Sequence, residues 1–201
     1  MKKGLLIALA MVLAVCLGIG GTLAYLFVTS NTVTNTFAYG DINIELKEHE
    51  WAGGNLDTTK EITANTNYKV IPGTTEKKDP FVRIKANSVE CYVYVTVENN
   101  LKIGNDVVGI IDIDTTKWIQ VATKDNTTLY RYFDTVKPSA ADQTLPVFTT
   151  VTYDSQKILK TNISSLGGKE IIVTAYAYQT ANVAQTVADT EVKKLAGFPV
   201  Q

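Results

Sequence analysis

Few residues of this chain are of types that catalyse reactions, and the first to test is its one histidine. His49 and Glu50 match the start of the zinc-protease motif H-E-x-x-H, in which two histidines one helical turn apart hold the metal. Gly53 stands where the second histidine is needed, and the glycine-rich surroundings disfavour the required helix. A serine or cysteine nucleophile would also depend on His49, and the sequence contains no G-x-S-x-G motif. The sequence therefore predicts neither a zinc site nor a nucleophile–histidine pair.

Two carboxylates, one cysteine and several tyrosines are the remaining candidates for chemistry. Asp112 and Asp114 would lie on one side of a strand and could hold calcium, whereas a solvated edge or loop explains the same spacing, and both alternatives stay open. Cys91 alternates with valines, which is typical of a small buried residue rather than a nucleophile. Four aromatic residues fit packed sheet faces better than a sugar platform: Tyr130, Tyr132, Tyr176 and Tyr178. We therefore expect no catalytic residue, no assigned metal ligand and no cofactor, which argues against an enzyme.

The N-terminus has the pattern of an export signal. Lys2 and Lys3 precede an apolar run over residues 4–28 that contains Thr22 but no charged residue. A positive start, a hydrophobic middle and small residues before a polar stretch are typical of a signal peptide. The run is also long enough to span a bilayer as a helix, so an uncut membrane anchor is the alternative. In both interpretations the rest of the chain works outside the membrane and touches it only through this leader.

The residues near the end of the apolar run indicate where the leader is cut. Signal peptidases need small side chains three and one residues before the cleaved bond, and Thr22 and Ala24 provide them. The sequence therefore predicts a signal helix and leader over residues 1–24, with Tyr25 as the mature N-terminus. Cys16 invites a lipoprotein interpretation, but valine precedes it where a smaller residue is wanted.

Composition and charge narrow the functional class. The chain has 201 residues, of which 45% are hydrophobic and 19% charged, as in a globular protein. Loss of Lys2 and Lys3 with the leader leaves 17 basic and 20 acidic residues, a net charge of about −3. This mild acidity argues against binding to nucleic acid, which needs clustered basic residues. Cleavage also separates Cys16 from Cys91, so we expect no internal disulfide.

The body of the chain has the composition of strands. Apolar alternation predicts a first strand over residues 35–47, with a bulge at Gly40 and Asp41, and then a polar glycine-rich loop over residues 49–66. Further strands are predicted over residues 81–85, 91–97, 118–121, 128–133, 145–153 and 170–178, with a hairpin turn at residues 124–126. About eight strands joined by polar loops describe an all-β, two-sheet antiparallel sandwich.

One amphipathic helix is predicted after the last strand. Its apolar stripe ends before a glycine that can terminate the helix: Ala184, Val187, Ala188, Val192, Leu195 and then Gly197. A helix of this size is expected to cover an open end of the sandwich.

Several stretches of the chain carry a resemblance to a known family. The longest are residues 20–27 (GGTLAYLF) and 35–46 (NTFAYGDINIEL), and shorter ones are VIPG at 70–73, KDP at 78–80, CYVYV at 91–95 and VTAYAYQ at 173–179. They resemble the TasA and camelysin family, which comprises SipW-dependent exported biofilm-matrix and cell-surface proteins of Gram-positive bacteria, including BsaA-like proteins. The resemblance touches most of the chain, and the leader junction is its most specific part.

The resemblance implies a jelly-roll sandwich over residues 37–201, removal of the leader by the signal peptidase SipW, and assembly of secreted subunits into fibres. It places on residues 25–36 an N-terminal arm that pairs as a strand with the next subunit. The residue types of this arm suit strand pairing, and the arm has neither charge nor proline: Tyr25, Phe27, Val28, Thr32, Val33 and Thr34. An ordinary first strand or a flexible tether is the alternative.

Three hypotheses about function follow from the sequence. The leading one is a secreted structural subunit of a biofilm-matrix or cell-surface fibre, which self-assembles by intermolecular strand pairing after processing by a SipW-type peptidase. The second is a membrane-anchored extracellular binding module that keeps its leader. The third, a camelysin-like surface metalloprotease, has no residues in this sequence on which to place a zinc site.

Overall fold

The computed structural model describes residues 41–66 and 68–200. The predicted leader, the predicted arm and the beginning of the predicted first strand lie outside these residues. Within the described part, the chain is mostly β, and every strand pair is antiparallel. The predicted all-β class is therefore confirmed for the described part of the chain.

Thirteen strands and one α-helix occur in the described residues. The strands are β1 (Ile44–Trp51), β2 (Leu56–Ile62), β3 (Thr75–Lys77), β4 (Phe81–Ile84), β5 (Cys91–Asn99), β6 (Lys102–Ile103), β7 (Asp106–Val107), β8 (Gly109–Ile111), β9 (Trp118–Lys124), β10 (Thr127–Tyr132), β11 (Gln143–Pro146), β12 (Thr150–Tyr153) and β13 (Ile171–Gln179). A 3-10 turn covers Ile163–Leu166, and helix α1 covers Gln185–Leu195.

The strands form two four-stranded sheets and two smaller ones. The first large sheet has the order β11-β4-β1-β2, and the second has the order β13-β5-β10-β9. Strands β3, β12 and β8 form a three-stranded sheet, and β6 pairs with β7. Because β4 is far in sequence from its neighbour β11, and β5 from β13, most of the pairing is between distant parts of the chain.

Both large sheets contribute side chains to one core. Val82 and Ile84 of β4 pack in the same apolar cluster as Val93 and Val95 of β5, and all four are at most 2% exposed. Strand β5 is buried on both faces, since Tyr94, which points away from this cluster, is also fully buried.

The predicted number of about eight strands is too low, and the predicted loop over residues 49–66 is wrong. Strand β1 continues to Trp51 and forms a hairpin with β2, with a turn in which Gly53 and Gly54 adopt positive φ angles of 64° and 126°. Strand β2 is a polar edge strand, so it lacks the apolar alternation that indicates a strand. Several other strands are only two or three residues long, which is too short for a periodic pattern.

The predicted strand over residues 145–153 is two strands in different sheets. Strand β11 pairs with β4, whereas β12 pairs with β3 and β8. Between them, Val147 and Phe148 are both buried, at 1% and 2% exposure. Because the strands on either side of them pair with different partners, these two buried residues lie where the chain leaves one sheet and enters the next.

Helix α1 is confirmed, but its position differs from the prediction. It packs through Ala188 and Val192 against Tyr94 and Leu129, on the outer face of the second sheet rather than over an open end. Gly197, at φ 76°, ends the helix, and the backbone N–H of the buried Phe198 donates to the carbonyl of Lys193. In the described part of the chain, no helix has the length and apolar character needed to cross a bilayer.

Candidate functional site

The histidine that the sequence singled out is part of a structural contact. His49 lies on β1, where its Nδ1 is 2.6 Å from Oδ2 of Asp79 and its backbone N–H donates to Oδ1 of the same carboxylate. Glu50 pairs instead with Lys60, at 2.9 Å, and Gly53 lies in the hairpin turn. The side chains of the incomplete H-E-x-x-H motif therefore point to different partners.

The two aspartates considered for calcium lie in the loop after β8, not on a strand. Asp112 accepts from the backbone N–H groups of Thr149 and Thr150, at 2.7 and 2.8 Å, and from the Thr149 hydroxyl. Partial burial raises the pKa of Asp112, but these hydrogen bonds outweigh burial and hold the pKa below its usual value. Asp114 closes a turn with Thr116. Within residues 41–66 and 68–200, no group of three metal-binding side chains occurs.

The cysteine and the tyrosines are used in packing. Cys91 is fully buried, and burial raises the pKa of its thiol to about 11, which keeps it protonated and unreactive. Tyr130 and Tyr132 pack against the main core, whereas Tyr176 and Tyr178 pack under helix α1. The four tyrosines therefore lie on opposite faces of the second sheet and do not form one stacking platform.

The outer faces of the two large sheets differ in what lies on them. On the first sheet, Arg83 donates to Glu61, and Lys85 pairs with Asp142 at 3.0 Å, so charged side chains are paired within this surface. On the second sheet, helix α1 packs on part of the outer face, while Ile172 stays 41% exposed. Association through backbone hydrogen bonds uses sheet edges, because only an edge strand has peptide groups without a neighbouring strand.

Helix α1 is fixed to the sheet by a partly buried ion pair. Arg131 of β10 donates to both carboxylate oxygens of Asp189, at 2.9 and 2.7 Å, and the Tyr94 hydroxyl donates to Asp189 at 2.8 Å. The side chains of the ion pair are 11% and 19% exposed. Burial and the neighbouring carboxylate hold the pKa of Tyr94 well above its usual value, so the phenol remains a donor.

Loss of this ion pair is expected to destabilise the folded protein. Arg131→Ala leaves the Asp189 carboxylate partly buried without its cation, and we expect the free energy of unfolding to fall by about 3 kcal/mol. Urea denaturation followed by circular dichroism measures the change. Lys194→Ala is the matched control, because it removes an exposed pair with Glu191 on the same helix and should cost less than about 0.5 kcal/mol. Equal effects of the two substitutions would contradict this role of Arg131.

Among the sheet edges, strand β13 differs from the others in lacking protection. Natural edge strands are usually short, or carry charges or proline that prevent pairing with another chain. Strand β2 contains three charged residues, β11 has four residues and ends at Pro146, and β9 ends at Lys124. Strand β13 has nine residues, IIVTAYAYQ, without charge or proline. In the described part of the chain it pairs only with β5.

Alternate residues of β13 direct their peptide groups away from the sheet. The N–H of Asn100 donates to Glu170 and the N–H of Thr180 donates to Glu90, so the even-numbered residues of β13 bond to β5. The odd-numbered residues therefore point their N–H and C=O groups off the edge: Ile171, Val173, Ala175, Ala177 and Gln179. These groups form a continuous set of donors and acceptors that an added strand can pair with.

Strand β1 lies beside this edge and is not hydrogen-bonded to it as a neighbouring strand, and we call the region between residues 41–48 and 171–179 the open seam. Some Cα atoms of β1 and β13 lie within 8 Å of each other, so an added strand requires the two strands to move apart. The carbonyl of Asn43 accepts from the N–H of Lys85, which follows β4, so Ile44 and Leu46 direct their peptide groups to the other side of β1, beyond the end of β2. One end of the seam is a small cavity lined by Asp41, Ile42 and residues 177–179. At its other end, residues 46–48 and 171–173 line a groove of about 770 Å³.

The core is incompletely covered along the open seam. Ile171, Val173, Ala175 and Ala177 face the core but are only partly buried, whereas Val93 and Val95 on the adjacent strand are fully buried. Apolar residues also line the groove, together with polar and charged ones: Leu46, Val70, Val151, Ile163 and Leu166. An added strand along this seam would cover apolar side chains as well as satisfy peptide groups.

The predicted processing and arm residues lie outside the described residues. These are Thr22, Ala24 and Tyr25 at the cleavage site and Tyr25, Phe27, Val28, Thr32, Val33 and Thr34 in the arm. Sequence reasoning missed the open seam, because the neighbours of a strand depend on how distant segments pair. Comparison of the chain with family models, with curated proteins and with solved structures found no match.

Proposed function

We propose that this protein is a secreted structural subunit of a biofilm-matrix or cell-surface fibre, and that subunits join by strand pairing. In this proposal, residues 25–36 of one subunit add as a strand to the open edge of β13 in the next subunit. The observation that carries the proposal is the long β13 edge, which has no protecting charge or proline and whose outward peptide groups have no strand partner among the described residues. A jelly-roll arrangement of the sandwich is part of the same proposal.

The size and composition of the arm suit this edge. Twelve residues of extended chain reach about 40 Å, and the nine residues of β13 span about 30 Å. The arm is uncharged, so none of its side chains would need to be desolvated as an ion in the seam. Its threonine, valine and aromatic residues favour strands.

The attachment point of the arm favours chain growth. Asp41, the first described residue, lies at the end of the open seam beside residues 177–179. An arm that leaves the subunit there and enters the seam of another subunit makes a head-to-tail contact, in which each subunit offers one donor and one acceptor. Such contacts are not self-limiting unless they close a ring, so they generate filaments.

Leader removal is the step that frees the arm in this proposal. The exported protein is expected to begin at Tyr25 after cleavage by a SipW-type peptidase, and to be found outside the cell. N-terminal sequencing of the exported protein, followed by electron microscopy of the same sample, tests both points. We expect a Tyr25 terminus and filaments. Protein that has this terminus and stays monomeric across pH and concentration would contradict the proposal.

A second candidate function is a membrane-anchored extracellular binding module that keeps its leader. The groove of about 770 Å³ favours it, because grooves of this size that combine apolar and polar lining residues accommodate ligands. An exported protein that retains Lys2 and Lys3 would support this function and exclude the freed arm.

A metalloprotease is disfavoured because a zinc site needs at least three ligands, and within residues 41–66 and 68–200 no group of three metal-binding side chains includes His49. If this activity existed, pure protein would cleave casein in a chelator-sensitive way that His49→Ala abolishes. We expect no cleavage.

A further inference from the structure

Glu48 breaks the pattern of the strand that carries it. Ile44 and Leu46 precede it on the core-facing side of β1, where a third apolar residue is expected. Glu48 is only 5% exposed, and it is the one charged residue among the buried residues of the described chain. Such departures from local rules often mark functional positions. The position lines the groove at the end of the open seam.

Both carboxylate oxygens of Glu48 are engaged. Lys78 donates to Oε2 at 2.5 Å, with the two side chains 13% and 6% exposed, and the backbone N–H of Asn65 donates to Oε1 at 2.8 Å. Lys78 follows β3, and Asn65 follows β2. Glu48 therefore joins three separate segments of the chain at one point.

The segment that Glu48 holds is one wall of the groove. Residues 63–66, Tyr68 and Val70 line the groove but belong to no strand. Asn65 fixes this segment to β1, since its side chain donates to the carbonyl of His49 and accepts from the N–H of Trp51, at 2.8 and 2.7 Å. Tyr68 stacks on the Trp51 ring with 5.6 Å between ring centres. The Glu48 carboxylate sits between this wall and Lys78.

We propose that Glu48 is a positioning residue for strand addition: with Lys78 and Asn65, it holds the wall formed by residues 63–66, Tyr68 and Val70, and keeps the groove open for the arm of another subunit. This inference rests on the proposed function. Collapse of the groove is favoured by the apolar part of its lining, because collapse removes that apolar surface from water. A buried ion pair of fixed geometry opposes this, although apolar residues at the same positions would often give equal or greater stability.

Amide hydrogen exchange and filament growth of the mature chain test the proposal together. Glu48→Gln should accelerate exchange of the Asn65 amide by about tenfold or more, and slow filament elongation by a similar factor, because a charge-assisted contact is lost. Glu50→Gln is the matched control, since it removes the exposed pair with Lys60 from the same strand. We expect less than twofold changes for this control.

A second variant separates positioning from stability. The double substitution Glu48→Leu and Lys78→Met should fold with a urea midpoint at or above that of the wild type. Its elongation should still be about tenfold slower, because the Asn65 amide has lost its acceptor. Wild-type elongation in either variant would overturn the role of Glu48. Absence of filaments from the wild type would instead overturn the proposed function, and the exchange rate of Asn65 would still decide whether Glu48 holds the wall.

Discussion

Removal of the predicted arm is expected to abolish filament formation completely while the folded domain persists. A chain that begins at Asn35 lacks most of the residues that would pair with β13, and so loses both the backbone hydrogen bonds and the apolar cover of the open seam. Within the described part of the chain, the main core and the cluster under α1 are built from residues 42–198, which the truncation keeps. Electron microscopy and light scattering measure assembly, and circular dichroism and urea denaturation measure folding.

A synthetic peptide of residues 25–36 tests the same contact by supplying the arm as a separate molecule. Added to the truncated protein, the peptide should bind in the open seam without producing filaments. It should raise the free energy of unfolding by about 2.7 kcal/mol when its concentration is a hundred times its dissociation constant. Added to the mature protein, it should stop elongation. A scrambled peptide should do neither. Filaments of the truncated chain would contradict the role of the arm.

Blocking the edge of β13 is also expected to abolish filament formation. Ala175 directs its N–H away from β5, so Ala175→Pro removes a donor from the free edge without removing one from the sheet. The ring also obstructs an approaching strand. We therefore expect folded protein that forms no filaments, with the mature N-terminus intact.

The control for this substitution is a proline on the opposite edge of the same sheet. Thr123 of β9 is exposed and, by the alternation of its hairpin with β10, directs its N–H to solvent. Thr123→Pro should leave assembly within about twofold of the wild type, since strand β9 is not the acceptor. If Thr123→Pro rather than Ala175→Pro stopped growth, the acceptor edge would be β9 and the assignment of β13 would be wrong.

The strands that the sequence predicted are those whose residues alternate over many positions. Strands β5, β10 and β13 show apolar residues at every second position and are long, so pattern alone locates them. Strand β2 is polar on both faces because it lies at an edge. Its position could be inferred only from its pairing with β1. Helix α1 was predicted from its stripe and Gly197, but the face it covers depends on the order of the strands beneath it.

Of the two parts of the candidate site, the arm could be predicted from the sequence and the acceptor edge could not. The uncharged, strand-favouring composition of residues 25–36 is a local property and can be read directly. The acceptor is not local, because β13 becomes an edge only when β5 pairs with it and β1 stops short of it. Glu48 could have been noticed in the sequence, because it lies two residues after Leu46 and four after Ile44, on the same face of the strand. Finding it requires the strand to be predicted beyond residue 47.

The structure of the assembled filament tests the central claim most directly. Helical reconstruction from electron micrographs of the mature protein should show residues 25–36 of one subunit hydrogen-bonded along β13 of its neighbour, beside the odd-numbered residues from Ile171 to Gln179. Filaments in which β13 has no added strand, or in which the arm lies on its own subunit, would contradict the account.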